Sequence, residues 1–205
     1  MKKSIDKFSL ICGLLLTLAA FPVFAQSSKA ELNKRPLQDF GQIFSEKVKN
    51  KEVDLKTPFS LTLQGTLDAN GKFDPKMTKV TKSEGDAKII ELAKLGIEAV
   101  SDSGVFYYLK QLKVDEVEIS LVQTDLEFSA DFKSTFETAK RAKSIGDGIK
   151  LNIQIGKSAV KDENTKAILE NSKVETIGKD FLLRFSMPFE QFHGIIDREL
   201  EKVKK

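Results

Sequence analysis

An α+β fold, an antiparallel sheet covered by helices on one side, is predicted by three observations. Paired stretches of alternating apolar residues begin at Phe59, Glu116 and Lys173, evenly spaced along the chain. Each pair is followed by apolar residues at helical spacing. Each strand has one apolar face only, so cover is needed on that side alone.

The elements follow in order. The polar stretch "QSSKAELNKRP", residues 26–36, reads as a flexible leader. Leu37, Phe40, Phe44 and Val48 then lie three and four apart, the stripe of a short helix. Phe59, Leu61, Leu63 and Leu67 alternate with Ser60, Thr62, Gln64 and Thr66, which predicts a strand with Gly65 as a bulge. Asn70-Gly71 predicts a hairpin turn. The return strand is expected over 72–81, at a sheet edge because of Pro75. Ile89, Leu92, Ala93, Ile97 and Val100 share one side of the next helix, with Ser83 or Asp86 to cap it. "VFYYLKQL" adds a further short helical turn.

In the second half, Val117, Ile119 and Leu121 face Phe128, Ala130 and Phe132 in a second hairpin. A long helix is expected from Ser134 through Ala139, Ala142, Ile145, Ile149 and Ile153. "IKLNIQI" also alternates, so 148–157 fits a strand as well. The four-residue step of the isoleucines favours helix, while Gly146 and Gly148 count against it. A short helix over 162–171, strands "KVETI" and "DFLLRFSM" around Ile177-Gly178-Lys179-Asp180, and a helix from Pro188 complete the chain. Phe189, Phe192, Ile195, Ile196 and Leu200 make its packing stripe. The expected organisation is a leader at 1–25, the flexible segment 26–36, a first α+β module over 37–124, and a second over 125–205 packed with it.

Residues 1–25 give an address. Lys2, Lys3 and Lys7 precede the apolar run "FSLICGLLLTLAAFPVFA", and Val23 and Ala25 supply small residues before Gln26. That is the layout of a signal peptide cleaved after Ala25. An uncleaved anchor is the competing reading, since the run from Phe8 to Ala25 just reaches the length a span needs. Pro22 favours a cleavable, extended junction. The single cysteine, Cys12, lies inside the apolar run, so the processed chain would hold no thiol and no disulfide. Export without disulfides suits a bacterial periplasm or surface. The chain carries +3, the leader's three lysines and Asp6 take +2 of it, and the remainder is +1. So balanced a surface predicts no nucleic-acid partner. A membrane enters only if the leader is retained.

The search for chemistry returns little. Asp68 and Asn70 hint at a calcium loop, but Lys72 stands at the third ligand position, Gly71 comes early, and Lys79 takes the place of the closing glutamate. A turn is the better reading. His193 is the one histidine, without a second ligand or a nucleophile in view, and reads as structural or surface. Asp115, Glu116, Glu118, Asp162 and Glu163 read as solvated acids. No catalytic residue, metal or cofactor is expected. Phe106-Tyr107-Tyr108 cannot all share one face of a helix or strand, so these rings either serve separate core surfaces or form a docking patch.

Residues 59–121 run strand, "DANGKF", strand, "SEGD", helix ending "IEAV", aromatic segment, strand. This order resembles the C-terminal domain of TonB, the periplasmic energy transducer, and its TolA relatives. Asp68, Asn70, Gly71 and Lys72 carry the likeness, with Ser83, Gly85 and Asp86, then Ala93, Ala99 and Val100. "AVSDSGVF" departs from that family's basic-aromatic helix end, and no proline-rich spacer follows the leader. The resemblance implies a small non-enzymatic module that binds another envelope protein, through addition of a strand to its sheet edge. The alternative is a periplasmic carrier or sensor holding an apolar ligand between sheet and helices.

Overall fold

Alternation of apolar and polar residues yields six strands, and three- and four-residue spacing yields six helices, in a computed structural model that describes residues 33–203. The leader at 1–25 and most of segment 26–36 lie outside the described residues. The class is α+β, with every strand antiparallel to its neighbours.

Helix α1 spans Arg35–Lys49 and starts at Pro36's own turn rather than after it. Strand β1, Phe59–Thr66, pairs with β2, Lys79–Gly85. Helices α2, Ala87–Asp102, and α3, Tyr107–Gln111, follow. Strands β3, Glu116–Gln123, and β4, Glu127–Thr135, form the second hairpin. Helices α4, Ala139–Ala159, and α5, Glu163–Glu170, lead to β5, Ser172–Ile177, and β6, Asp180–Pro188. Helix α6, Phe189–Val203, closes the described chain. The spatial order is β2-β1-β3-β4-β6-β5.

Four boundaries differ from the sequence expectation. The return strand begins at Lys79, not near residue 72, because Asp68 and Asp74 each close a turn before it. Asp68 Oδ1 accepts the backbone N–H groups of Asn70 and Lys72 at 2.8 Å, and Asp74 Oδ1 accepts that of Lys76 at 2.9 Å. The bulge falls at Thr62/Leu63, with Thr81 as the extra residue, and not at Gly65. Gly65 instead makes room for Phe73, whose ring would lie 2.4 Å from a Cβ there. Ser134 belongs to β4, and α4 begins only after Thr138, whose hydroxyl accepts the Arg141 N–H at 3.2 Å. Pro188 ends β6 rather than opening the last helix. Residues 148–157 are helical. Gly146, which counts against a helix in the sequence, lies where a Cβ would meet Thr176 Cγ2 at 2.6 Å, so it lets α4 approach β5.

Helix α2 lies over β1 and β2 with α1 against it, α6 over β4 and β6, and α4 over β5 and β6. Facing them is one apolar layer: Leu61, Leu63, Val117, Ile119, Phe132, Phe181, Leu183 and Phe185 are all buried. Aromatic rings link it lengthwise. Phe73, Phe106, Phe132 and Phe181 follow at centroid distances of 5.7, 5.7 and 6.4 Å, and Phe128 stacks on Phe192 of α6 at 4.0 Å. The hairpin β3–β4 crosses the expected 124/125 boundary, and both halves feed a single hydrophobic cluster. Among the described residues no helix is long and apolar enough to cross a membrane.

Candidate functional site

Among the described residues the helices leave the outer face of the sheet uncovered, and the sheet ends in two edge strands, β2 and β5, of which only β2 is exposed at every residue. Register places Lys82, Thr62, Ser120, Asp131, Arg184 and Lys173 in one row across the outer face. Thr62 and Ser120 share a hydroxyl hydrogen bond of 2.9 Å. Arg184 donates through Nε and Nη2 to both Asp131 oxygens at 2.8 and 2.7 Å. That pairing holds the Arg184 guanidinium above its ordinary value, by the Asp131 hydrogen bonds first and its charge second. A shallow groove of about 330 Å³ lies over this half of the face, lined by Glu118, Asp131, Lys133, Glu175, Leu182 and Arg184 among others. Its charges are of both signs, with carboxylates in excess, and the central Asp131–Arg184 pair is already joined.

The edge is different. Among the described residues, strand β2 pairs with β1 on one side only, and all seven of its residues are exposed. Its row facing the open side of the sheet, opposite Gln64, Thr62 and Ser60, is Lys79, Lys82 and Glu84, and Val80 is 40% exposed. Lysines and a bulge commonly guard such an edge against indiscriminate pairing. They also restrict which segment can join it.

The residues singled out in the sequence fall elsewhere. Phe106 is fully buried between Phe73 and Phe132, so it is a core residue and not part of a docking patch. A five-residue helix following it turns that ring inward while Tyr107 stays half-buried. The side chain of Tyr108 lies outside the described residues. Gly71, at φ +73°, sets the "DANGKF" turn against the backbone of Tyr107, where a Cβ would lie 2.4 Å from Tyr107 Cα. Asp68 is the pivot of that turn. The N–H of Lys72 and then that of Asn70 hold its carboxyl below the usual range.

His193 is buried, between Phe189 and Phe192. Its Nε2 meets Gln123 Oε1 at 3.3 Å. Gln123 donates both amide hydrogens elsewhere, to the carbonyls of Leu55 at 2.7 Å and Thr57 at 2.9 Å. Its oxygen is therefore left to accept, so His193 carries its proton on Nε2. Burial, and then the nearby Lys56, hold the imidazole below its ordinary value. This network ties the segment after α1 to β3 and α6, a link no local pattern in the sequence announces. Asp115 pairs with Lys110, and Asp162 caps α5 by accepting the Thr165 N–H at 2.7 Å. Among the described residues, no group of three or more His, Cys, Asp or Glu side chains is placed to hold a metal ion.

The fold and these surfaces define a two-layer α+β protein with an open sheet face and two edge strands, β2 fully exposed and β5 partly buried. No protein-family model matches the chain, and no curated protein or solved structure does either.

Proposed function

We propose that the chain is an exported, non-enzymatic interaction module that accepts an extended segment of another envelope protein along β2. The observation that carries this reading is the seven-residue β2, the one of the two edge strands exposed at every residue and, among the described residues, hydrogen-bonded on one side only. Its unpaired N–H and C=O groups offer main-chain affinity, and Lys79 and Lys82 favour a segment with acidic residues opposite them. The TonB/TolA likeness of residues 59–121 agrees with a module of this kind. The leader layout supports delivery beyond the inner membrane, with the module acting in the periplasm. The carrier alternative gains nothing comparable, since the layer between sheet and helices is filled by the chain's own rings and aliphatic side chains.

A photocrosslinking amino acid at Val80 tests it in intact cells. A specific protein adduct is expected at Val80, absent when the probe replaces Leu126, a residue 83% exposed and away from the edge. No adduct, or the same adducts at both positions, would falsify the proposal. N-terminal sequencing of the mature form should begin at Gln26, and a retained Met1 would overturn the cleaved-leader part.

A further inference from the structure

Among the described residues, helix α4 is covered on one side only. Ala142, Ile149 and Ile153 are buried on its inner side, where it meets β5 and β6. On the opposite side Leu151 and Ile155, one turn apart, are 56% and 50% exposed. Lys143, Lys150 and Lys157 recur at heptad spacing, so they form a row along the helix, about a third of a turn from that apolar ridge. Charge is concentrated here. The helix holds five cations (Lys140, Arg141, Lys143, Lys150 and Lys157) against Asp147 alone, a net +4. The whole chain is +3, so everything else sums to −1. Asp147 pairs with Lys143 at 2.7 Å and Lys150 at 3.9 Å, and Glu137 with Arg141 at 3.5 Å. Those contacts leave the helix with its excess of positive charge.

We propose that α4 docks the protein on an anionic phospholipid surface, with Leu151 and Ile155 entering the headgroup boundary and the lysine row meeting lipid phosphates. Two apolar side chains are too few for the core of a stable protein interface, which takes about 800 Å² per partner. They suit a helix lying in a membrane interface, where a small apolar ridge and several cations act together. A helix of 21 residues offers a straight contact line of about 31 Å. The long lysine stems can bend toward the surface so that their ammonium groups reach the phosphates. This inference is independent of the β2 edge.

The chain has no tryptophan, so Ile155→Trp in the full chain makes a sole indole reporter. Vesicles of phosphatidylcholine with phosphatidylglycerol should shift its emission to the blue, and brominated lipid should quench it. Pure phosphatidylcholine should do neither. Partition should fall about fivefold for each of Lys143→Gln, Lys150→Gln and Lys157→Gln. Leu126→Trp controls for tethering by the apolar run at 8–25, and its emission should not move. An unmoved Ile155→Trp, equal shifts on neutral vesicles, or equal shifts in both reporters would overturn the proposal. So would a concentration-dependent shift without lipid, which would mean that copies of the chain cover the ridge instead.

Discussion

Two buried polar side chains show opposite energetics at the scale of a single residue. The Ser134 hydroxyl is buried in β4 and meets no partner among the described residues. An unsatisfied group of this kind costs about 1–3 kcal/mol, so Ser134→Ala should leave stability unchanged or raise it by about 1 kcal/mol in urea denaturation. A loss beyond about 1 kcal/mol would show that the hydroxyl is bonded after all. His193 is satisfied but desolvated. Its folded value lies below the ordinary 6.5, so the native state resists taking up a proton that the unfolded chain accepts. Stability is therefore full above about pH 6.5 and declines as pH falls toward the lowered folded value. Lys56 facing the ring steepens that decline, while Asp197, Glu190 and Asp54 oppose it. His193→Gln should flatten the melting temperature between pH 7 and pH 5, relative to the unchanged protein. An equally steep profile in both would remove His193 as the source.

At the scale of the element, α4 packs closely against β5 through Gly146. Alanine normally exceeds glycine inside a helix by about 1 kcal/mol. At position 146 the added methyl would collide with Thr176 Cγ2 at 2.6 Å, while its next neighbour, Val174 Cγ1, lies at 3.6 Å. Gly146→Ala should thus destabilise the protein alone and stabilise it in a Thr176→Ser background, a sign reversal readable by thermal melts. The same contact explains what the sequence can and cannot say about α4. The isoleucine step 145–149–153 marks the helix, and Ile149 and Ile153 are indeed buried. Gly146 looks like a weakness only because Thr176, on a strand beyond the next helix, is invisible to local periodicity. Likewise the alternation of β1, β3, β4 and β6 is legible, whereas the two aspartate turns that delay β2 depend on hydrogen bonds within a polar stretch. Phe106 goes to the core for the same reason. Its partners are Phe73, in the turn ahead of β2, and Phe132, in β4, both remote along the chain. The edge itself is foreshadowed by Pro75, which nonetheless falls in the turn ahead of the strand.

At the scale of the whole molecule, one sheet and one hydrophobic cluster join segments that read as two modules. Cutting either half away would expose the central strands, so the two should unfold together. Phe132→Ala, at the centre of the aromatic chain, should lower stability by about 3–5 kcal/mol while the single transition persists. Circular dichroism and tyrosine fluorescence should trace the same curve, and two separated midpoints would restore independent modules. The arrangement of helices also bears on cooperativity. Strands β4 and β6 are sheltered by α6, whose Phe192 stacks on Phe128 and whose Ile195 is buried. That shelter follows every strand in the order of synthesis. Without α6 the apolar faces of β4 and β6 would lose that cover, so the last helix made should complete the same cooperative unit as the sheet.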